Sequence, residues 1–293
     1  MQGFIVKSLA GDFYVLNQDN NKIYTCKAKG QFRNKNLSPI CGDLVIFDHD
    51  EANNFSIITD ILPRKNELIR PPIANIDIAL IVMSTVRPNF DFYLVDKLIV
   101  AATLQNIEPV IVVSKCEYLD DELKKVLDNY TLAGYKVIMV SSHENINIDQ
   151  VDMAIKGKKV VLCGQSAVGK SSLINSLLKT EHRMIGDYSE KLGRGKHKTR
   201  EVEFIFGNGG YVADSPGFSR LDLNIEIASM ARIYKDFEKL ANNCRFASCM
   251  HINEPNCAVK DAVEKDIINK KRYDNYLHII KEIKDGKQVW RKK

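Results

Sequence analysis

The chain has 293 residues, of which 45% are hydrophobic and 27% are charged, and its formal net charge is +5. These proportions are typical of a globular protein and exclude a mainly disordered chain. Residues 1–7 do not show the basic leader and apolar core of a signal peptide, and no run of 18 apolar residues occurs. We therefore expect no membrane span, and we expect two or three domains.

The first 66 residues are predicted to form a small β-barrel of the OB-like type. Short apolar or alternating runs occur at 13–16, 22–26, 44–47 and 55–58, with turn residues between them. Strands at this spacing favour a barrel. A polar connection within it carries Phe32 and several basic residues, and it suits either an oligonucleotide-binding edge or a solvated loop. The basic residues are Lys27, Lys29, Arg33 and Lys35.

Prolines at 63 and 71–72 predict a linker, after which the pattern changes to alternating strands and helices. This alternation predicts an α/β domain with a mostly parallel sheet over residues 67–221. Predicted strands lie at 76–83, 109–113, 136–140 and 160–162, and predicted helices at 92–104, 119–133 and 148–155.

A glycine-rich segment with the pattern G-x-x-x-x-G-K-S follows the last of these strands and precedes a helical run. That context predicts a P-loop, whose backbone N–H groups and helix dipole bind a phosphate chain. Lys170 would bridge the β- and γ-phosphates, and the Ser171 hydroxyl would bind Mg²⁺. The nucleotide-binding residues of this segment would be Gly164, Gln165, Ser166, Ala167, Val168, Gly169, Lys170, Ser171 and Ser172.

Further polar segments follow the other predicted strands, at the sheet edge where ligands bind. Ser114-Lys115-Cys116-Glu117 is similar to the N-K-x-D motif, in which a carboxylate accepts hydrogen bonds from guanine and the lysine stem packs over the base. Ser141 and Ser142 follow another strand. Asp214-Ser215-Pro216-Gly217 would supply a carboxylate for Mg²⁺ and, from Gly217, a backbone N–H for the γ-phosphate. Together these segments predict a GTPase that binds GTP or GDP with Mg²⁺.

Three of the seven cysteines lie close together near the carboxyl end. This distribution favours reduced thiols and one metal site in a cytoplasmic protein, not a disulfide framework. Within fourteen residues the segment supplies three thiols and one imidazole, which fit a closed, tetrahedral, structural Zn²⁺ site. The predicted ligands are Cys244, Cys249, His251 and Cys257, in a zinc-binding helical domain over 222–293.

The order of the motifs is unusual, because the base-binding segments precede the P-loop and D-S-P-G comes last. This order, with a barrel before it and a Cys/His cluster after it, resembles the circularly permuted, ribosome small-subunit-dependent GTPases of the RsgA/YjeQ type. The resemblance covers essentially the whole chain. It implies a monomeric GTPase that acts late in maturation of the small (30S) ribosomal subunit, binds that subunit and its rRNA, and is stimulated by it.

The resemblance also assigns residues of the switch I segment, Gly193 to Thr199. Thr199 would sense Mg²⁺ and the γ-phosphate, whereas His197 would either position the attacking water or be an ordinary exposed residue. Phe218 stands where many GTPases carry a water-positioning Gln, so we expect a slow intrinsic rate that needs a partner.

The base-binding motif departs from the family pattern at two positions. Ser114 replaces an Asn whose amide normally ties this loop to the P-loop, and Glu117 replaces an Asp. We therefore expect a weakened preference for guanine.

Two basic segments, 179–200 and 258–293, would be either solvated faces or rRNA contacts. Aromatic residues within the second segment could stack on exposed bases. These are Tyr273, Tyr276 and Trp290, with His278 beside them. The alternatives to a GTPase are a non-catalytic, nucleotide-gated rRNA-binding protein and an ATP-using P-loop enzyme.

Overall fold

The structure is a computed structural model that describes residues 1–30, 32, 37–69, 72–179, 202–207, 210–214 and 227–285. The chain divides into two compact units. The first comprises Met1–Ile78, Asp152–Leu162 and Ile174–Arg220. The second comprises Ala79–Val151, Cys163–Leu173 and Leu221–Lys293.

A closed five-stranded barrel opens the first unit. The strands lie in the order β1-β2-β3-β5-β4, and β1 also pairs with β4, which closes the barrel. Neighbours are antiparallel except β3 and β5, which run parallel. The barrel predicted from the sequence is confirmed, although its first strand was not among the predicted ones. The strands are β1 (Gln2–Leu9), β2 (Asp12–Asn17), β3 (Ile23–Ala28), β4 (Leu44–Asp50) and β5 (Phe55–Ile61).

The aromatic residue of the predicted nucleic-acid edge belongs to the barrel core. Phe32 is only 4% exposed and packs in a cluster with Ile5, Val15 and Phe47. It therefore cannot stack on an exposed base, and that part of the prediction is wrong. Lys27 forms an ion pair of 2.6 Å with Asp12. Arg33 and Lys35 lie outside the described residues.

The predicted linker is itself folded onto the barrel. It contains an antiparallel pair of strands, β6 (Glu67–Ile69) and β7 (Pro72–Ala74). The Arg64 guanidinium donates to both carboxylate oxygens of Asp43, at 2.7 and 2.8 Å. Gly42 has a φ of +91°, and a Cβ at this position would collide with the carbonyl oxygen of Ala74. A glycine is therefore required where this hairpin meets the barrel.

Three more strands complete the first unit. β11 (Lys159–Cys163) runs parallel to β13 (Gly210–Asp214), with Val161 opposite Ala213. β13 pairs antiparallel with β12 (Glu203–Gly207), and β12 continues onto β1. At that junction Lys7 and Glu203 form an ion pair of 3.0 Å.

The second unit has the α/β pattern that the sequence predicted. Its sheet has the order β10-β9-β8, and β9 and β10 run parallel. Every residue of β8 is buried, as expected of a strand covered on both faces. The elements are β8 (Ile78–Ser84), α1 (Phe92–Leu104), β9 (Glu108–Ser114), a 3₁₀ turn (Cys116–Tyr118), α2 (Asp121–Ala133) and β10 (Lys136–Val140). Two further helices each have residues in both units: α3 (Ile148–Ile155), and α4 (Lys170–Lys179), which comes after β11.

Helices form the carboxyl-terminal part of this unit. They are a 3₁₀ turn (Ile227–Arg232), α5 (Lys235–Ala241), α6 (Ala258–Glu264) and α7 (Lys270–Lys284). Tyr276 of α7 is fully buried, so it is not available to stack on RNA as the sequence suggested. Trp290 lies outside the described residues. Among the helices that the structure describes, none is long and apolar enough to cross a membrane.

Candidate nucleotide site and metal centre

The phosphate loop, residues 164–169, connects β11 to α4 and depends on residues with positive φ. Gly164 and Gly169 have φ values of +136° and +95°. A Cβ on Gly164 would collide with the carbonyl oxygen of Val82 in β8. Both glycines thus give the loop the tight turn that a P-loop requires if its backbone N–H groups are to bind one anion. Ser171 lies in the first turn of α4, with an exposed side chain that can bind a cation.

Lys170 closes this loop with its own side chain. Its ammonium donates to the carbonyl oxygens of Gly164 at 2.7 Å and Gln165 at 2.5 Å. Burial lowers the pKa of Lys170 from its ordinary value. The ammonium is thus held at the loop, where the phosphates of a nucleotide would provide an anionic partner.

Ser114 ties the predicted base-binding loop, residues 114–117, to the phosphate loop. Its hydroxyl donates to the carbonyl oxygen of Val168 at 2.5 Å and lies 3.2 Å from that of Met83. Ser114 is 5% exposed, so this contact is shielded from water. The expectation that a serine loses the tie of the usual Asn is therefore wrong. A hydroxyl is sufficient here because Ser114 ends β9 directly beside the loop.

Lys115 and Thr85 join the base-binding loop to the segment after β8. Lys115 has a φ of +57°, and its ammonium donates to the carbonyls of Val86 and Arg87 at 2.8 and 2.7 Å. The Thr85 hydroxyl donates to the Lys115 carbonyl at 2.7 Å. Sequence analysis missed Thr85, for which the signal was a polar residue directly after a buried strand. Glu117 follows in the 3₁₀ turn and is exposed, so its carboxylate can meet a base.

The two serines after β10 differ in exposure. Ser141 is fully buried, and its hydroxyl accepts a hydrogen bond of 3.1 Å from the N–H of Glu144. Ser142 is half-buried. Ser141 therefore organises its own loop, and Ser142 is the more accessible of the pair.

The remaining predicted nucleotide residues are described only in part. Asp214 is the last residue of β13, and its side chain is outside the described residues. His197, Thr199 and Gly217 also lie outside them. Their roles stay predictions.

The four predicted metal ligands do come together. Their ligand atoms all lie within 4.8 Å of one another. His251 Nδ1 is 3.6 Å from the sulfur of Cys244 and 3.3 Å from that of Cys257. His251 Nε2 lies 2.9 Å from the carbonyl oxygen of Ala231, which orients Nδ1 toward the sulfurs. The cluster could hold a metal ion, and its donor set is one that Zn²⁺ prefers.

Glu254 organises the loop that carries His251, and sequence analysis missed it. Its carboxylate accepts hydrogen bonds from three backbone N–H groups, those of Met250, Ile252 and Asn253, at 2.9, 2.8 and 3.1 Å. The backbone N–H bonds of Met250, Ile252 and Asn253 hold the pKa of Glu254 below its ordinary value, although burial raises it. The signal in the sequence was an acidic residue inside a short loop rich in metal ligands.

Comparisons with known proteins agree with this geometry. The RsgA GTPase family model matches residues 61–224, and the RsgA N-terminal domain model matches residues 2–57. The protein named small ribosomal subunit biogenesis GTPase RsgA is 40% identical over 291 residues in Geobacillus kaustophilus and 38% identical over 294 residues in Bacillus subtilis. Each alignment covers 98% of both chains.

Two solved structures have the same fold. YloQ, described as a circularly permuted GTPase, superposes with a TM-score of 0.82 at 34% identity, covering 97% of this chain and 95% of its own. YjeQ from Thermotoga maritima gives 0.81 at 29% identity and covers 99% of both chains. The permuted motif order, the closed barrel, the tied phosphate loop and these matches lead to one conclusion: the chain belongs to the RsgA GTPase family.

Proposed function

We propose that this protein hydrolyses GTP to GDP and phosphate during late maturation of the small (30S) ribosomal subunit, and that the subunit stimulates this reaction. The contact that carries the proposal is the Ser114 hydroxyl bonded to Val168, since it joins a guanine-binding loop to a phosphate loop. The names of the relatives support the ribosomal role.

Separate residues would bind the phosphates, the Mg²⁺ ion and the base. Lys170 contacts the β- and γ-phosphates, and Gly217 offers a backbone N–H to the γ-phosphate. Ser171, Thr199 and Asp214 would hold Mg²⁺, which neutralises charge on the phosphates. Glu117 accepts hydrogen bonds from guanine, while Lys115 is held beneath the base by the Val86 and Arg87 carbonyls. His197 would position the attacking water or be an ordinary exposed residue. Because Phe218 cannot orient water by hydrogen bonding, the partner would complete the site.

One structural Zn²⁺ would be bound by Cys244, Cys249, His251 and Cys257. Three thiolates and one imidazole complete a tetrahedral shell and leave no open position for substrate. The site therefore stabilises the fold and takes no part in hydrolysis.

We further propose three domains, 1–66, 67–221 and 222–293, in a monomeric, cytoplasmic protein that binds rRNA of the small subunit. The excess of basic residues, +5 over the whole chain, favours binding to phosphates. Lys270, Lys271 and the exposed His278 lie on α7 and are available for such contacts.

The test is GTP hydrolysis by the purified protein with and without small ribosomal subunits, over a series of salt concentrations. Lys170→Ala serves as the inactive control. We expect strong stimulation that fades as salt rises, because docking on RNA releases counterions. Tight GTP binding with no stimulation under any condition would instead identify a non-catalytic, nucleotide-gated rRNA-binding protein. Competition by ADP as strong as that by GDP would point to an ATP-using enzyme.

A further inference from the structure

Helix α1 begins beside the phosphate loop, and its first side chain reaches that loop. Asp91 is the N-cap of α1, where its Oδ1 accepts a hydrogen bond of 3.0 Å from the N–H of Leu94. Its Oδ2 accepts a second hydrogen bond, of 3.1 Å, from Nε2 of Gln165. The Asp91 carboxylate thus accepts hydrogen bonds from both α1 and the phosphate loop, which are far apart in sequence.

Gln165 is the second residue of the phosphate loop. Its carbonyl accepts from Lys170 while its side-chain amide donates to Asp91. An ionised carboxylate only accepts hydrogen bonds, so the amide must present its NH₂ group to Asp91. Since Ser114 holds the carbonyl of Val168, the loop is fixed near both of its ends by side chains of neighbouring segments.

Asp91 is well anchored because α1 is packed along its length. Val95, Leu98 and Ile99 are buried at 0–2% exposure. On another face, Lys97 forms an ion pair of 2.8 Å with Glu282 of α7. The carboxylate that holds Gln165 therefore starts a helix whose position is set by the core of the second unit.

We propose that Asp91 is a positioning residue for the phosphate loop and acts through Gln165. This inference rests on the proposed GTPase function, because it concerns the loop that receives the phosphates of GTP. P-loop binding depends on several backbone N–H groups that share one direction. The hydrogen bond at Gln165 restricts the conformation of the loop before the nucleotide binds. Binding then costs less conformational entropy.

The experiment compares GDP affinity by calorimetry in the full-length protein and five variants. Asp91→Ser keeps an N-cap oxygen but has no second oxygen for Gln165. Gln165→Ala removes the amide. Each should weaken GDP binding roughly 3- to 10-fold, the range of one lost hydrogen bond, and the double variant should bind as weakly as either single one.

Two further variants separate positioning from general damage to the fold. Asp91→Asn should keep near-normal affinity, because its amide can cap α1 and donate to a rotated Gln165. Asp120 caps α2 in the same way, through the N–H of Leu123 at 2.7 Å, so Asp120→Ser is the matched control and should not alter GDP affinity. Urea midpoints without nucleotide should be alike for Asp91→Ser and Asp120→Ser.

The inference would be overturned if Asp91→Ser or Gln165→Ala bound GDP with normal affinity. It would also be overturned if the loss of affinity in the double variant equalled the product of the two single losses. Failure of the unmodified protein to bind GDP would be a different result, since it would remove the proposed function itself.

Discussion

At the scale of single residues, the Ser114 hydroxyl makes a buried hydrogen bond between the predicted base-binding loop and the phosphate loop. Ser114→Ala would leave the buried carbonyl of Val168 without this donor, at a cost of about 1–3 kcal/mol. We expect GDP affinity to fall by roughly 10-fold, with the loss measured by calorimetry. Ser114→Thr keeps the hydroxyl and should retain most of the affinity. Equal affinity in the alanine variant and the unmodified protein would show that Val168 needs no such partner.

Glu117 should determine which base the protein accepts. Its exposed carboxylate can accept from both N1–H and the 2-amino group of guanine, whereas inosine lacks that amino group. We expect the unmodified protein to prefer GDP over IDP by about 10-fold or more, since hydrogen bonds to charged groups are worth about 1.5–3 kcal/mol. Glu117→Ala should weaken GDP binding and remove that preference.

The measurement is competition of GDP and IDP for one fluorescent nucleotide. If Glu117→Ala still distinguished the two bases, another group would have to contact the 2-amino group. Glu117→Asp, which restores the shorter carboxylate of the usual motif, is the matched variant and should keep the preference.

At the scale of elements, the barrel and the β6–β7 hairpin meet at a glycine that no other residue can replace. Gly42→Ala combines a φ of +91° with a collision against the Ala74 carbonyl. Gly11 has a similar φ of +87°, but a Cβ there meets nothing within 4 Å. Gly11→Ala should therefore cost only the backbone strain, about 1–2 kcal/mol. We expect Gly42→Ala to lower the free energy of unfolding by roughly 3 kcal/mol or more.

Urea unfolding followed by circular dichroism compares these two variants directly. Similar losses in both would mean that the hairpin moves away from the barrel at little cost.

Helices α1 and α7 meet through a buried ionic cluster that should make stability depend on pH. Asp96 is fully buried, and burial raises its pKa from 3.8 to about 6, although Arg272, Asn275 and Tyr130 favour the charged form. Because the folded pKa lies above the unfolded one, this group adds stability below about pH 4, and that contribution is lost as the pH rises through 6.

Asp96→Asn removes this titration and keeps a polar side chain of the same shape. The difference in unfolding free energy between Asp96→Asn and the unmodified protein should shift in favour of the variant between pH 4 and 6. The slope is at most about 1.4 kcal/mol per pH unit. A difference that stays constant over this range would show that Asp96 has an ordinary pKa in the folded protein.

The sequence predicted the bounds of helices and strands correctly where a single periodic pattern of apolar residues defines the element. Strand 136–140 and helices 92–104 and 148–155 have the predicted bounds, because an apolar run or a helical period defines each of them. The predictions failed where tertiary contacts decide. Phe32 looked like part of a polar loop, yet it fills the barrel core, and Tyr276 looked like part of a basic surface, yet it is buried.

The same distinction applies to the site. The tight turn at 164–169 and the proximity of the four Cys and His side chains were predictable, because each motif has the residue spacing that its proposed ligand requires. The contacts of Asp91 and Thr85 were not, because each joins segments whose proximity exists only after folding. Glu254 bonds within its own loop, and its contacts depend on a turn that the residue pattern alone did not specify. A replacement such as Ser114 for Asn is judged correctly only when the distance to Val168 is known.

At the scale of the whole molecule, the metal cluster and the phosphate loop lie in the same compact unit, whereas the barrel lies in the other. Helix α7 holds the metal loop directly. The hydroxyls of Tyr273 and Tyr276 donate to the carbonyls of His251 and Met250 at 2.7 and 2.6 Å. The same helix pairs with α1 through Lys97 and Glu282. Loss of the proposed metal should therefore reduce the stability of α7 more than that of the barrel.

Removal of the proposed Zn²⁺ by a chelator should consequently loosen one part of the chain selectively. Hydrogen exchange measured by mass spectrometry should accelerate in α5, α6 and α7, because the four Cys and His side chains would lose the bonds through which the cation joins them. Exchange in strands β1–β5 should not change. Adding Zn²⁺ back should restore protection, whereas Mg²⁺ should not, since it prefers oxygen ligands. Unchanged exchange in α7 after measured release of the metal would mean that the tyrosine contacts alone hold the loop, and faster exchange in the barrel would mean that the two units unfold together.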